Sequence, residues 1–253
     1  LLEERYPHFP GLNLCWETRE GIARHRTAYD RPEVPEEFRG SRQPGIEAQI
    51  VNIADELAFC AHDLDDALRV GLMTEEVLEG IGNPLWEEVY ERARREIPHD
   101  PERRRKRAVR HLIELLNIDV MEQTIRNIAE FGVNSPEQVR DLEVPLVDFS
   151  PARREQFRQL RDTLYQQVYT NPVVLMMLQK GRKIVRELFQ AYIEEPRLLP
   201  GAVQQKLRQA PGEQGRYRIV CDYIAGMTDR FAMDTYQMMF EPYEKILMSL
   251  GHR

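Results

Sequence analysis

The stretch from Glu47 to Gly71 constrains the fold most, because its apolar residues recur with the period of an α-helix. One stripe alternates spacings of four and three residues and contains Ile50, Ala54, Leu57, Ala61, Leu64 and Leu68. At about 100° of rotation per residue, a second stripe lies roughly opposite and contains Asp55, Phe59, His62, Asp63 and Asp66. The pattern predicts one long helix with an apolar side and an acidic side.

The acidic side of this predicted helix has two interpretations. Asp55, Phe59 and Asp63 are each four residues apart, so they stack along one line of the helix. No basic residue interrupts the acidic side before Arg69. Such a line is typical of a helix that lines an acidic cleft and holds a cation or a polar ligand. A run of acids is also typical of an ordinary solvated helix face, and the spacing alone leaves both interpretations open.

Composition and charge exclude several classes of protein. The 253 residues are 42% hydrophobic and 30% charged, which is ordinary for a soluble globular chain. Three cysteines without a CxxC pair argue against a structural zinc site and favour a reducing compartment. The longest apolar run, Val173 to Leu178, is far too short to cross a bilayer. We therefore expect a cytoplasmic protein without a membrane partner, and the net charge of −7 argues against a general nucleic-acid binder.

Helical periodicity continues through the rest of the chain, and no strand signal competes with it. There is no sustained alternation of polar and apolar residues and no Asn-Gly hairpin. Two polar breaks rich in Pro, Gly and charged residues lie at residues 30–44 and 132–151. The sequence predicts an all-α, multi-helix bundle.

The densest basic patch of this acidic chain lies on two consecutive predicted helices. Its members are Arg92, Arg94, Arg95, Arg103, Arg104, Arg105, Lys106 and Arg107. One interpretation is a solvated helix face. The other is an anion-binding patch, for a nucleotide effector or for single-stranded nucleic acid. No aromatic residues are interleaved with these charges, so the nucleic-acid version is the weaker one.

Four segments together resemble one known family. ADELAFCAHDLDDALRVGL (54–72) resembles a helix of the HD-domain deoxynucleoside triphosphate triphosphohydrolases, the dGTPase-like family. The segment ending in Arg24-His25 resembles the family's EGILKH stretch, and LRDTLYQQVY (160–169) resembles its phosphohydrolase-associated region. DYIAGMTDRFA (222–232) is similar to a further family motif. The resemblance covers nearly the whole chain and implies an HD-domain-type bundle. It divides the chain into the C-terminal part of the catalytic core (1–82) and the helical associated region (83–253).

The resemblance implies a reaction and a set of site residues. The family hydrolyses a deoxynucleoside triphosphate to the deoxynucleoside and inorganic triphosphate, with a divalent metal such as Mn²⁺, Mg²⁺ or Fe²⁺. It implies that Asp55 is a metal ligand and that Asp63 contacts the deoxyribose 3′-hydroxyl. Phe59 stands where the family has a Tyr near the sugar and phosphates, and Arg24 is expected to face the phosphates. A cation that ends a helix is an equally good interpretation of Arg24.

The family's other metal ligands lie in HRxxH and HDxGH stretches, and this sequence contains neither. The pair His62-Asp63 is not that dyad. We therefore expect the catalytic residues and the upstream part of the HD core to lie outside this chain, and the chain alone to be inactive. The alternative is a non-enzymatic helical module for assembly or effector binding. The resemblance also implies a homo-oligomer with nucleotide effectors as partners.

The motif DYIAGMTDRFA carries an expectation of its own. Its polar residues Asp222, Thr228, Asp229 and Arg230 are expected to form a buried polar network. Gly226, which costs a helix about 1 kcal/mol relative to Ala, is expected to allow close helix packing.

Overall fold

A computed structural model describes residue 8 and the ranges 11–26 and 33–241. Within these residues 76% of the chain is helical and no strand is present, which confirms the all-α prediction. The described α-helices are α1 (Trp16–Ala23), α2 (Ile46–Arg69), α3 (Glu75–Ile81), α4 (Pro84–Glu96), α5 (Pro101–Phe131), α6 (Pro136–Asp141), α7 (Pro151–Leu164), α8 (Pro172–Glu194), α9 (Gly201–Gln209), α10 (Gly212–Ala225) and α11 (Asp229–Phe240). A π-helix spans Tyr165–Tyr169, and two 3₁₀ turns span Glu36–Phe38 and Pro196–Leu198.

Short polar residues and prolines begin most of these helices. Asn83 caps α4 by accepting a hydrogen bond from the Trp86 backbone N–H at 3.1 Å. Asp100 caps α5 in the same way, with 3.0 Å to the Arg103 N–H. Proline occupies the first turn of α4 to α8, where its missing N–H leaves no helical bond unmade. α5 ends at Gly132 with φ of +62°, a conformation that glycine adopts without strain.

The chain folds as two compact units, Leu1–Thr170 and Asn171–Arg253. In the first unit, α5 and α7 each pack against both α2 and α4, and α1 packs on α2. The fully buried core of this bundle contains Leu64, Leu85, Trp86, Leu112, Leu116, Phe157 and Leu160. The division after residue 82 is a division by family resemblance, and it stays a prediction.

The second unit is built on the C-terminal half of α8. α10 and α11 pack against α8, and α9 packs against α10. Its core contains Ile184, Leu188, Tyr192, Leu199, Leu207 and Val220. None of the helices in the described ranges is both long and apolar enough to span a membrane.

α2 confirms the predicted long helix and corrects one of its faces. It ends just before Gly71, whose φ is +74°. The predicted stripe is buried from Leu57 to Leu68, but Ile50 is 48% exposed and Ala54 is also exposed. The prediction is wrong there because Gln49 takes the buried position in the first turns. Its side-chain oxygen accepts hydrogen bonds from the backbone N–H groups of residues 146 and 147, at 2.7 and 3.1 Å.

The expectation for DYIAGMTDRFA is wrong. Its polar residues Asp222, Thr228, Asp229 and Arg230 are exposed. Asp222, Thr228 and Arg230 make local contacts along α10 and α11. Gly226 ends α10, and a Cβ placed there would meet the carbonyl oxygens of Asp222 and Tyr223 at 3.4 and 3.5 Å. These carbonyls belong to the preceding turn of the same helix, so this glycine ends a helix and does not admit another one.

Candidate functional site on the outward face of α2

Asp55, Phe59 and Asp63 lie on the side of α2 that points away from the core of the first unit. Leu57 on the opposite side is 4% exposed, whereas Phe59 is 53% exposed. The side chain of Asp55 is 51% exposed, and Asp63 is partly buried. The three side chains therefore lie along one line of α2, as their spacing predicted, with Asp55 and Phe59 exposed and Asp63 partly buried. We call this line, with the side chains that reach it, the α2 face.

His25 reaches the α2 face beside Asp55. Its Nε2 lies 3.5 Å from Asp55 Oδ2. Its Nδ1 lies 2.6 Å from Oδ1 of Asn52, which sits about one turn before Asp55 on α2. The His25 side chain is 33% exposed, so solutes can reach the space between the imidazole and the carboxylate.

Phe59 faces an aromatic neighbour from a distant part of the chain. The rings of Phe59 and Tyr169 have centroids 6.5 Å apart and planes 15° apart. Tyr165 lies 5.9 Å from Tyr169, and both tyrosines are carried by the π-helix. An extra residue in a helical turn is often found at functional sites. The three rings form an open apolar ledge beside the two carboxylates, suited to stacking against a sugar or a base.

The carboxylate of Asp63 has one buried oxygen, Oδ2, without a hydrogen-bond partner among the described residues. Burial raises the pKa of Asp63, the charge of Asp66 raises it further, and His62 opposes both. A buried acceptor without a partner costs stability. Such an oxygen is typical of a group that hydrogen-bonds to a ligand when the ligand is bound.

Arg24 lies next to the α2 face but points elsewhere. It is 7% exposed, and its guanidinium donates to the carbonyl oxygens of residues 41–43 at 3.1, 3.0 and 3.2 Å. It also pairs with the fully buried Glu20 at 3.3 Å, and Glu20 pairs with Arg140 at 3.0 Å. This network fastens the end of α1, and hence His25, to the loop before α2. The geometry favours the structural interpretation of Arg24, and its contact with phosphates stays a prediction.

The basic patch on α4 and α5 is compensated by its own neighbours. Arg104 donates to the carbonyl oxygen of Ile97 at 3.1 Å. Six other members of the patch form ion pairs within the first unit, which include Arg92–Glu114 at 3.2 Å, Arg103–Asp100 at 3.3 Å, Lys106–Glu102 at 2.7 Å and Arg107–Glu96 at 2.5 Å. Arg95 donates to the carbonyl oxygen of Glu91 at 3.4 Å. These pairs favour the solvated-face interpretation. The predictions of an effector or a nucleic acid at this patch remain untested.

The α2 face fits part of a divalent-metal site. Mn²⁺, Fe²⁺ and Mg²⁺ accept carboxylate oxygen, and the first two also accept imidazole nitrogen. Asp55 and His25 offer one donor of each kind, and both are open to solvent. Across the ranges that the structure describes, no group of three or more His, Cys, Asp or Glu side chains lies together to hold a metal. The described residues therefore supply some ligands of such a site and not a full set.

Comparison with known proteins identifies the family. Residues 147–238 match the family model of the phosphohydrolase-associated domain. The chain is 44% identical over 250 residues to a deoxyguanosinetriphosphate triphosphohydrolase-like protein of Syntrophus aciditrophicus (strain SB), covering 97% of this chain and 62% of that relative. A protein of the same description from Geobacter sulfurreducens is 45% identical over 247 residues (97% and 63% covered), and one from Bordetella pertussis is 40% identical over 244 residues (95% and 62%).

The chain corresponds to the C-terminal portion of deoxyguanosinetriphosphate triphosphohydrolase-like proteins and contains their phosphohydrolase-associated domain. This confirms the resemblance on which the sequence-based expectations rest. The chain spans about three fifths of these relatives, 62% to 63% of their length. The matched associated domain contains Tyr165 and Tyr169, so two rings of the aromatic ledge belong to that domain of the family.

Sequence reasoning missed three residues of the α2 face. Histidines outside the HRxxH and HDxGH contexts were discounted as ligands, and so His25 was assigned no contact with Asp55. Asn52 carries no signal of its own, since a lone Asn on a helix has many uses. Tyr169 lies at helical spacing in LRDTLYQQVY, and aromatic residues at such spacing are mostly core, so the pattern does not indicate a contact with Phe59. Its neighbour Tyr165 is 50% exposed, which helical spacing does not reveal.

Proposed function

We propose that the whole protein hydrolyses deoxynucleoside triphosphates to deoxynucleoside and inorganic triphosphate with a divalent metal ion. In this proposal the α2 face contributes Asp55 as a ligand of Mn²⁺, Mg²⁺ or Fe²⁺ and contributes Asp63 and Phe59 to the substrate site. The observation that supports it most is the placement of Asp55, Phe59 and Asp63 along one line of α2, beside His25 and Tyr169. The family of the chain supports the class of reaction.

The charge of the α2 face favours a metal-dependent reaction. Asp55 and Asp63 are acidic, and a triphosphate is a polyanion that such a face repels. A bound divalent cation reverses this local field, lowers the pKa of a bound water and stabilises charge that develops on the phosphate. An acidic helix can therefore belong to a site for an anionic substrate only when a cation is also held there.

The side chains of the α2 face have distinct tasks in this proposal. The unpaired Oδ2 of Asp63 accepts a hydrogen bond from a sugar hydroxyl, which gives this buried oxygen the partner that it lacks. The rings of Phe59 and Tyr169 form the surface against which the sugar or base packs. Phe59 has no hydroxyl, so it orients the nucleotide through apolar contact alone.

The test is release of inorganic triphosphate from each of the four deoxynucleoside triphosphates with Mn²⁺. The 253-residue chain and the product of the complete gene are assayed in parallel, each with an Asp55→Asn variant. We expect the complete product to release triphosphate and its Asp55→Asn variant to lose at least about a hundredfold in rate, a typical cost of losing charge stabilisation at the reacting group. We expect the 253-residue chain to release almost none, since its described residues offer an incomplete ligand set. Unchanged release by the Asp55→Asn variant of the complete product would contradict the proposal.

A second function, assembly with another copy of the chain, is favoured by the N-terminal half of α8. Val173, Met176 and Met177 are 53%, 65% and 69% exposed, and Leu175 and Leu178 are each 46% exposed. Exposed apolar patches of this kind mark interaction surfaces. No charged residue lies between Pro172 and Gln179. The patch can therefore face an identical patch across a two-fold axis without like-charge repulsion, and we infer a second copy as its occupant.

Light scattering during size-exclusion chromatography tests this assembly. Met176→Glu should convert a dimer to a monomer, because it buries a charge in the contact. Met121→Glu is the matched control, since Met121 on α5 is 64% exposed and Met176 is 65% exposed. A wild-type chain that stays monomeric throughout a concentration series would contradict the inference.

A further inference from the structure

His25 carries its ring proton on Nδ1 because of its contact with Asn52. Oδ1 of Asn52 accepts the backbone N–H of Arg26 at 3.4 Å, which identifies that atom as the amide oxygen. The same oxygen lies 2.6 Å from His25 Nδ1. An amide oxygen only accepts hydrogen bonds, so Nδ1 must be the donor. In the neutral ring, Nε2 is then left with a free lone pair.

That lone pair faces a second acceptor. His25 Nε2 and Asp55 Oδ2 are 3.5 Å apart. Two acceptors that face each other need something positive between them. Two ligand atoms each about 2.1 Å from one metal ion are roughly 3.4 Å apart at a tetrahedral angle and roughly 3.0 Å apart at the right angle of an octahedral ion. The observed separation is within about 0.5 Å of both values, so a small side-chain movement brings the two atoms to a shared ion.

We propose that His25 Nε2 and Asp55 Oδ2 form a two-point ligand for a divalent transition-metal cation, which makes His25 a metal-site residue. The inference extends the metal role that the proposed function gives to Asp55. Imidazole with carboxylate favours Mn²⁺, Fe²⁺ or Zn²⁺ over Mg²⁺. Asn52 is the outer partner that fixes the tautomer, as such partners do for metal-bound histidines. The buried pairs of Glu20 with Arg24 and Arg140 hold the end of α1 in place behind His25.

Nuclear magnetic resonance on the 253-residue chain tests the proposal without any activity measurement. Long-range proton–nitrogen spectra of the histidine rings should show His25 with its proton on Nδ1 and a bare Nε2. Substoichiometric MnCl₂ should then broaden the ring signals of His25 well before those of His99. His99 is an exposed histidine outside the α2 face and serves as an internal control.

Variants separate ligation from mere proximity. Asp55→Asn and His25→Gln should each weaken Mn²⁺ binding at least about tenfold, whereas His99→Gln should leave it within a factor of two. Both site positions are solvent-accessible, and circular dichroism verifies that each variant keeps its helical content.

Three results would overturn the proposal. These are a His25 ring with its proton on Nε2, equal broadening of His25 and His99, and unchanged Mn²⁺ affinity in His25→Gln. Failure of the proposed function would look different, because the complete protein would then release no triphosphate while Mn²⁺ still bound at His25 and Asp55.

Discussion

Phe59 and Tyr169 lie nearly parallel, with ring centroids 6.5 Å apart and planes 15° apart. Phe59 stands on the open side of α2, and Tyr169 is the last residue of the π-helix that follows α7. The pair joins two segments that are far apart in the chain. It therefore gives the α2 face an apolar surface that neither segment has by itself.

The two rings should be energetically coupled. Phe59→Ala and Tyr169→Ala each remove the stacked pair, so the double variant should lose less stability than the two single losses added together. We expect a coupling of about 0.5 kcal/mol or more, near the low end for aromatic pairs because Phe59 is half exposed. Urea unfolding of the four chains measures it. Phe59→Tyr should stay within about 0.5 kcal/mol of the original chain, and strictly additive losses would show that the rings do not interact.

Asp63 should raise the unfolding free energy of the chain in weak acid relative to its value at neutral pH. Burial raises the pKa of Asp63, so the folded chain binds this proton more readily than the unfolded chain does. Its contribution to stability is therefore fully present below the ordinary pKa, about 3.9, and is lost as the pH rises through the raised value.

Asp63→Asn should therefore stabilise the chain near neutral pH, by about 1 kcal/mol or less, and this gain should shrink on acidification. Urea unfolding at about pH 5 and about pH 7.5 measures the difference. Asp65→Asn, on the same helix, is the control for loss of one charge. A gain that grows towards acid pH would contradict the prediction.

Glu20 should be among the costliest polar residues to remove. It is fully buried and lies between the guanidinium groups of Arg24 and Arg140. Glu20→Ala leaves the buried Arg24 and the partly buried Arg140 without their shared carboxylate, and we expect a loss of about 3 kcal/mol in unfolding free energy. Glu17→Ala, on an exposed turn of the same helix, should cost less than about 0.5 kcal/mol. Similar small costs for both would show that the network does not hold α1.

Arg24 gives a related prediction, because its two interpretations predict different changes in unfolding free energy when the residue is replaced. If it fastens α1 to residues 41–43, Arg24→Gln should destabilise the chain by at least about 2 kcal/mol, through buried partners left unpaired. A residue that serves substrate phosphates alone would change stability little. Thermal unfolding without nucleotide distinguishes the two interpretations.

Two of the three cysteines should react with a thiol reagent in the native chain, and the third should not. Cys60 is 2% exposed, and burial, with smaller effects from Asp63 and Glu56, raises the pKa of its thiol to about 12. The thiolate is the reactive form, so Cys60 should stay unmodified at neutral pH until the chain unfolds. Cys15 and Cys221 are exposed and should react in the native chain. Titration with a disulfide reagent before and after adding urea counts both classes, and three fast thiols in the native chain would contradict the burial of Cys60.

Much of the α2 face could be predicted from local periodicity, and the rest depends on contacts that periodicity does not encode. Spacing placed Asp55, Phe59 and Asp63 on one line, because a helix repeats its faces whatever surrounds it. The burial of Gln49 in place of Ile50 depends on hydrogen bonds to the backbone of residues 146 and 147. The place of His25 in the α2 face depends on its contacts with Asn52 and Asp55, which lie on another helix. No pattern within a single helix reports such pairings.

The N-terminal half of α8 is a second place where periodicity does not predict burial. Apolar residues at helical spacing usually belong to a core, and Val173 and its apolar neighbours follow that spacing. In the structure they are exposed, with Met177 at 69%. A sequence shows that a side chain is apolar but not which surface covers it.

The most direct test of the central claim is a nucleotide titration of the 253-residue chain, followed residue by residue by nuclear magnetic resonance. With dGTP and MnCl₂ held at a fixed ratio, we expect the earliest signal changes at His25, Phe59 and Tyr169, and we expect Asp63→Asn to reduce them. Changes that begin instead at the basic patch of α4 and α5, with the α2 face undisturbed, would contradict the claim that this face belongs to the nucleotide site.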